Sequence, residues 1–351
     1  MIMMTYIIIA VLLLAAELIY FRIADKCNII DKPNERSSHS TIVLRGGGVI
    51  FAISMICWLI LQMMNGEWCT VQGYLPFMVG LVLICGVSFW DDVKSLPDSV
   101  RLVTQFLSMG LAAWGMILGS GLMVLEWYWL VAIMIAALIV FVGATNIINF
   151  MDGINGITAG YSLAVLVPLL IVDSSKLIVE RFIEPSYLIV AIIGVLVFCI
   201  FNFRPKGKAK CFAGDVGSIG IAFIMLFAIG KLIVQTGDVT YLILLLVYGV
   251  DGCLTIVHRI MLHENLGEAH RKHAYQLMAN ELKIGHVKVT LLYMAMQLAV
   301  SLGFIYLIPC TVVAHWMYFV GAILVLTVAY VLFKKKYYHL HEEYLASLKK
   351  E

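Results

Sequence analysis

The chain has 351 residues, 62% of them hydrophobic and only 13% charged, and its mean hydropathy is +0.97. Soluble domains run at about 45–50% apolar and about 25% charged, so this composition excludes an ordinary globular enzyme and a disordered chain alike. The net charge of +2 is small, no nucleic-acid partner is expected from it, and the eight cysteines form no CxxC pair that suggests a zinc site or a disulfide framework.

Apolar runs of about 20 residues, the length that crosses about 30 Å of hydrocarbon, recur along the whole chain. Taken in order they lie near 2–21, 47–64, 73–90, 102–119, 124–145, 156–172, 186–203, 216–235, 239–257, 289–308 and 312–333. The expected fold is an all-α polytopic membrane protein with about 11 transmembrane helices. With the N-terminus outside, 21 of the 24 Lys and Arg fall on the cytoplasmic side, in the 22–46, 91–101, 204–210 and 258–288 loops and the tail from Lys334. This asymmetry predicts an outside N-terminus, a cytoplasmic C-terminus and the bilayer as permanent surroundings. The first run has no basic residue before it and Arg22 after it, which suits a retained anchor better than a cleaved signal. A single transmembrane domain over 1–333 and a basic helical tail over 334–351 are expected.

The inner loops hold nearly all the reactive groups. Arg36, His39, Arg45 and the Gly46–Gly48 triplet precede the second span. Glycine N–H groups there are free to face an anion or to allow close chain approach. Asp91 and Asp92 end the third span. Neighbouring helical residues diverge by about 100°, so two separate roles, or one role and one helix cap, suit them better than joint chelation. Asn146, Asn149, Asp152 and Asn155 recur every three residues around Gly153 and Gly156. They suit either a ligand-binding turn or a set of amides satisfying one another. Cys211, Phe212, Gly214, Asp215, Gly217 and Ser218 follow the four cations of 204–210, so Asp215 is a candidate to carry a metal to an anionic substrate. Asp251 lies in a span and needs a polar partner. His270 and His273 share a face if their segment is helical, and beside Arg271 and Lys272 they suggest a phosphate clamp. Glu17, in the first span, is read as structural. Hard oxygen ligands beside cations suit Mg²⁺, with Mn²⁺ as its substitute, and a phosphate ester.

In order, Asp31-x-Pro-x-x-Arg36, Arg45-Gly-Gly-Gly48, Asp91-Asp92, Asn146-x-x-Asn149-x-x-Asp152-Gly153, Gly214-Asp215-x-Gly217-Ser218 and Asp251 with the His270/His273 loop resemble the motifs of the polyprenyl-phosphate N-acetylhexosamine-1-phosphate transferase superfamily (glycosyltransferase family 4). That superfamily also contains the phospho-N-acetylmuramoyl-pentapeptide translocase. The resemblance covers about residues 25–290. It implies Mg²⁺-dependent transfer of a sugar phosphate from a UDP-N-acetylhexosamine to undecaprenyl phosphate, with release of UMP, at a cytoplasmic cleft of the bacterial inner membrane. It further implies catalytic roles for Asp91, Asp92, Asp152, Asp215, His270 and His273, with Asp215 and Asp152 on the metal. Substrate would meet Arg36, His39, Arg45, Asn146, Asn149, Asn155, Phe212, Arg271 and Lys272, with Phe212 stacking on uracil or anchoring in the membrane.

The sequence departs from the family in two places. Ser95 or the shifted Asp98 stands where a third carboxylate often follows the pair, and two histidines flank Arg271-Lys272 where three often cluster. This pattern is closer to the surface-polysaccharide branch, the O-antigen or capsule type, than to the peptidoglycan enzyme. A homodimer is a further expectation. The rival readings are the muropeptide transferase, an ion-coupled transporter using Asp251 and Glu17, and a receptor or scaffold for anionic lipid.

Overall fold

The computed structural model describes residues 2–31, 42–118, 120–175, 180–268 and 270–348. Its elements, in chain order, are α1 (Ile2–Lys26), β1 (Ile30–Asp31), β2 (Val43–Leu44), α2 (Val49–Met64), α3 (Trp68–Val93), α4 (Asp98–Ile117), α5 (Trp127–Phe150), α6 (Ile157–Ser174), α7 (Pro185–Asn202), α8 (Gly214–Thr236), α9 (Leu246–Met261), α10 (Ala274–Asn280), α11 (His286–Leu307) and α12 (Val312–Leu348). Short 3-10 turns at Gly121–Val124 and Val239–Leu245 precede α5 and α9. Among the described residues ten helical segments are long and apolar enough to cross a membrane, and α2, with 16 residues, is a shorter apolar helix. Each of the eleven apolar runs therefore lies on helix, and the chain is an all-α multi-pass membrane protein.

The organising element is α8. It is apolar on all sides, and a helix of that kind belongs in the centre of a bundle. Every residue from Val216 to Gly230 is buried, against α2, α3, α4 and α5. By contrast α5 and α12 leave most of their apolar side chains exposed, as lipid-facing helices do. Aromatic rings of Trp58, Tyr74, Phe77, Tyr187 and Phe227 interlock where α2, α3, α7 and α8 meet. Such pairs each contribute about 0.5–1.5 kcal/mol beyond the area they bury.

One departure from the sequence-based boundaries matters: the ninth span begins as the Val239–Leu245 3-10 turn. The expected helical tail is continuous with the last span, α12 running unbroken to Leu348. Hydropathy marks where charge begins, and a helix whose polar end has protein to pack on need not stop there.

One end of α8 is built by a small knot of backbone. Residues Ile30 and Asp31 pair antiparallel with Leu44 and Val43, and Leu44 bridges in parallel to Cys211. The Gly46–Gly48 turn then lies against 212–217: Gly47 N–H donates to the Phe212 carbonyl (2.9 Å) and Gly48 N–H to that of Ala213 (3.0 Å). A Cβ on Gly48 would fall on the backbone of Gly217 and within 2.8 Å of the Ala213 oxygen. The glycines are thus used for close chain approach, and the N–H groups of Gly47 and Gly48 are turned to this packing instead of to an anion.

Candidate active site

Asp215 stands in the first turn of α8, directly after Gly214, whose φ of +70° favours glycine and whose missing side chain leaves room for Asp92. Helix N-termini present unsatisfied N–H groups, and here Asp92 satisfies two of them. Its Oδ1 accepts from Asp215 N–H at 2.9 Å and its Oδ2 from Val216 N–H at 3.0 Å, while Arg45 Nε approaches Oδ1 at 2.7 Å. The Asp92 side chain is fully buried. Asp91, one residue earlier and pointing elsewhere, accepts from Leu96 N–H (2.5 Å) and from Arg101 Nη1 (3.3 Å). The divergence expected of adjacent helical residues is therefore present, with Asp92 acting as a cap at the start of another helix.

Arg101 joins the parts. Its Nη1 lies 3.7 Å from Asp215 Oδ2, so Asp91 and Asp215 share one nitrogen, and its Nη2 pairs with Asp98 on the same helix. Arg45 Nη2 reaches Asp215 Oδ1 at 3.9 Å, and Asn149 donates to the same oxygen at 3.3 Å. Burial alone would lower the Arg45 pKa, but the carboxylates of Asp92 and Asp215 hold it above its ordinary value. The carboxyl groups of Asp91, Asp92, Asp98 and Asp215, four in all, thus face two guanidiniums. Asp152 lies within electrostatic reach of Asp92 and Arg45. Burial pushes its carboxyl up to about 6, against the opposing pull of a 2.5 Å bond from Thr158.

A cavity of about 530 Å³ opens beside this cluster. Arg101 and Asn149 form part of its wall, His270 and His273 another part, and Leu102, Phe150 and Ile219 give it apolar surface. The segment holding the two histidines is not helical, so the condition for a shared helix face is not met: His273 is the N-cap of α10 and its N–H donates to Gln276 Oε1. The rings are nevertheless 5.0 Å apart. Asp251 fixes His273 from inside the bundle, at 3.3 Å from Nδ1, and its other contacts are Ala274 N–H, the Thr255 hydroxyl and the Tyr293 hydroxyl at 2.6 Å. His273 Nε2 is buried and has no hydrogen-bond partner among the described residues, while the residue itself lines the cavity. Burial first, and then the neighbouring His273, Arg259 and Lys272, push the His270 pKa down to about 3. His270 therefore stands at the cavity as a neutral imidazole.

The remaining sequence-based candidates have other contacts. Arg36 and His39 lie outside the described residues. Asn146 pairs amide to amide with Gln105 (2.8 Å) while lining the cavity. Asn155 does not line it: its Nδ2 bonds the carbonyls of Arg204 and Pro205, and its backbone meets His286 and Thr290. The backbone of Phe212 is pinned between Leu44 and Gly47, and its half-buried ring is not part of the cavity wall. Arg271 pairs with Glu281 (3.3 Å) and lies over the Tyr344 ring, and Lys272 pairs with Glu264. The expected clamp of two histidines and two cations is therefore divided, with the imidazoles at the cavity and the cations turned to acidic partners. Arg101 and Arg259 stand in the sequence beside the Asp91–Asp92 pair and between Asp251 and His270, and no role was expected of either. Arg101 sits one helical turn after Asp98, which was the available signal. Arg259 is buried and braces the next loop through Glu264 and the carbonyls of Asn265, Leu266 and Glu268.

Comparison with known proteins gives the same direction. The model of glycosyl transferase family 4 matches residues 74–234. A probable undecaprenyl-phosphate N-acetylglucosaminyl 1-phosphate transferase of Bacillus subtilis is 27% identical over 74% of this chain and 72% of its own length. An undecaprenyl-phosphate alpha-N-acetylglucosaminyl 1-phosphate transferase of Thermotoga maritima is 26% identical over 80% of this chain and 82% of its own. A phospho-N-acetylmuramoyl-pentapeptide-transferase of the same organism is 29% identical over 52% of this chain, and the match spans only 60% of that relative. Together with the ordered motifs, these matches make the chain similar to glycosyl transferase family 4, whose model covers a little under half of it, and they support an enzyme of the class that transfers a sugar phosphate to a polyprenyl phosphate.

Proposed function

We propose that the protein transfers N-acetylhexosamine-1-phosphate from a UDP-sugar, UDP-GlcNAc or a UDP-linked 6-deoxy-N-acetylhexosamine, to undecaprenyl phosphate. UMP is released, and the lipid-linked sugar starts a surface glycan of the O-antigen or capsule type at the bacterial inner membrane. The observation that carries the reading is the placement of Asp91 and Asp215 on one nitrogen of Arg101, a residue that lines the same cavity as His270 and His273. The relatives named for N-acetylglucosaminyl 1-phosphate transfer support the hexosamine donor, and because one named for the muropeptide donor matches over a comparable length, both donors belong in the test.

The reaction brings two anions together. At 5 Å and an effective dielectric of about 20, each pair of unit charges repels by about 3 kcal/mol. Arg101, at the cavity wall, and Arg45, beside Asp215, are fixed counter-charges for the incoming phosphates. A phosphate monoester has a second pKa near 6 and is mostly a dianion at neutral pH, so Asp91 has little proton to remove. Its role is to aim Arg101, which it holds at 3.3 Å, and with it the lipid phosphate. Asp92 fixes the backbone of Asp215, and Asp251 fixes the His273 ring at the cavity wall.

The donor set suits Mg²⁺, with Mn²⁺ as its substitute. The cluster is hard oxygen with more carboxyl groups than guanidiniums, and among the described residues no three His, Cys, Asp or Glu side chains converge into a closed metal cage. Mg²⁺ commonly takes one or two carboxylates and leaves its other positions to phosphate and water. Asp215 and Asp152 would hold it, and when bound it supplies positive charge to the pyrophosphate and to the departing UMP.

UMP release tests this. Detergent-purified protein is given undecaprenyl phosphate and a panel of UDP-N-acetylhexosamines, including UDP-MurNAc-pentapeptide, with Mg²⁺ or with EDTA. Lipid-dependent, EDTA-sensitive release that disappears in Asp215→Asn is the expected result. Release from the muropeptide alone would move the assignment to the peptidoglycan reaction. No release from any donor by folded protein would refute the proposal.

A further inference from the structure

The last helix is longer than a membrane requires. At 1.5 Å per residue the 37 residues of α12 span about 55 Å, against about 30 Å of hydrocarbon. Roughly 25 Å therefore projects at the end of the bundle that carries the cleft. A solvated basic tail would leave its polar side chains unpaired, but this one turns a single stripe toward the protein. Lys334, Tyr338, His341 and Tyr344 are spaced four, three and three apart and so share one helical face.

Lys334 and Tyr344 meet the segment around His270 and His273 itself, and Tyr338 and His341 meet groups packed beside it. Lys334 Nζ donates to the backbone carbonyl of Lys272 and is buried. Tyr338 packs edge-on against His258, with ring centres 4.6 Å apart. His341 Nδ1 lies 3.0 Å from Glu281 Oε1, the same oxygen that Arg271 reaches at 3.3 Å, and His341 is only 2% exposed. Tyr344 lies beneath the Arg271 guanidinium at 4.6 Å. Cation–π contacts of this kind strengthen when withdrawn from water.

We propose that the projecting end of α12 is a clasp, in which Lys334, His341 and Tyr344 are positioning residues that hold the His270–His273 loop at the cleft. The loop is gripped from two sides. Asp251 takes the His273 ring and the Ala274 N–H from inside the bundle, and α12 takes the Lys272 carbonyl and, through Glu281, the Arg271 guanidinium from outside. This use of the tail also accounts for Arg271 facing Glu281 and Tyr344 at the protein's rim. The claim about kinetics rests on the transferase reading above; the claim about the loop does not.

The test compares the full-length protein with Tyr344→Ala, with His341→Ala/Tyr344→Ala, and with Tyr344→Phe, which keeps the ring. Hydrogen–deuterium exchange is followed peptide by peptide, and kcat per folded enzyme and KM for the UDP-sugar are measured. The alanine variants are expected to exchange the 270–274 amides at least tenfold faster while α3 and α8 are unchanged. KM should rise at least threefold and kcat fall about tenfold, a modest part of the hundredfold that misplacing a group by 1 Å can cost. Tyr344→Phe should stay within about twofold of wild type. A purely structural tail would lower the yield of folded enzyme without moving KM. Unchanged exchange at 270–274 overturns the clasp, and so does faster exchange with wild-type kinetics. If wild type turns over no donor at all, the transferase reading fails and exchange alone still decides whether α12 holds the loop.

Discussion

Replacing Asp92 by Asn separates a residue that does chemistry from one that holds another in place. The carboxylate accepts from Asp215 N–H and Val216 N–H and pairs with Arg45 at 2.7 Å, all from a fully buried side chain. An amide keeps one acceptor oxygen, so its NH₂ must face either the Val216 N–H or the Arg45 side together with the Asp215 N–H. Loss of a helix cap costs about 0.5–2 kcal/mol, and a buried donor left without an acceptor costs about 1–3 kcal/mol. Removing one partner of a buried ion pair costs about 3–5 kcal/mol, but Arg45 is about a third exposed, so most of that figure is screened. A net loss of about 2–4 kcal/mol is expected, concentrated at the start of α8. Thermal unfolding followed by tryptophan fluorescence, with amide exchange at 214–218, measures it. Asp92→Asn should lower the melting temperature, speed exchange of the Asp215 and Val216 amides and reduce transfer. Asp215→Asn should abolish transfer with these amides still protected. An Asp92→Asn protein that is inactive yet keeps wild-type stability and exchange would refute the capping argument and return Asp92 to the reacting groups.

Three further predictions follow from the geometry. The His270 pKa is pushed down to about 3 from an unfolded value near 6.5, so below pH 6.5 the unfolded chain binds a proton that the folded one refuses, and stability falls as the pH falls toward 3. At pH 5 this amounts to about 2 kcal/mol, so His270→Gln should flatten the decline in melting temperature between pH 6.5 and 4; an unchanged slope would show that His270 titrates normally. Gly48→Ala should destabilise the protein and misplace Asp215, because the new Cβ meets backbone at Gly217 and Ala213 that cannot swing aside; wild-type stability and turnover would refute the close approach. Asn149→Ala should lower turnover about tenfold or more with little change in stability, since it touches Asp215 at the cavity wall, whereas Asn155→Ala should chiefly lower stability by about 1–3 kcal/mol, since its amide braces Arg204 and Pro205. The reverse ranking, read from kcat and melting temperature together, would reverse the two assignments.

How far the sequence could be read depended on the range of the forces involved. Hydropathy is a local property, so each of the eleven apolar runs landed on helix. The divergence of Asp91 and Asp92 was legible because helical geometry alone dictates it. The destination of Asp92 was not, since the N–H groups that it caps belong to Asp215 and Val216, on a different helix. Arg271 and Lys272 read as phosphate ligands because nothing local announces Glu281, reached through α10, or Glu264, reached around a loop. Asn146 and Asn155 share a spacing with Asn149, but tertiary contacts send the three amides to Gln105, to two carbonyls and to Asp215 respectively. Arg101 was given no role for the opposite reason: a cation near the membrane edge is common, and only the folded chain puts Asp91 and Asp215 on the same nitrogen.

The docking of the glycine turn on the segment that leads into α8 has a consequence for synthesis. Gly47 and Gly48 emerge from the ribosome well before their partners Phe212 and Ala213, about 165 residues later. At about 5–20 residues per second that delay is roughly 10–30 s. During it the first helices must enter the bilayer with Arg45 lacking its Asp215 contact and with the glycine turn uncovered. A chain stalled before α8 would present an open backbone edge at the membrane surface, so the translocon, or a chaperone acting there, has a defined interval in which this segment needs shielding.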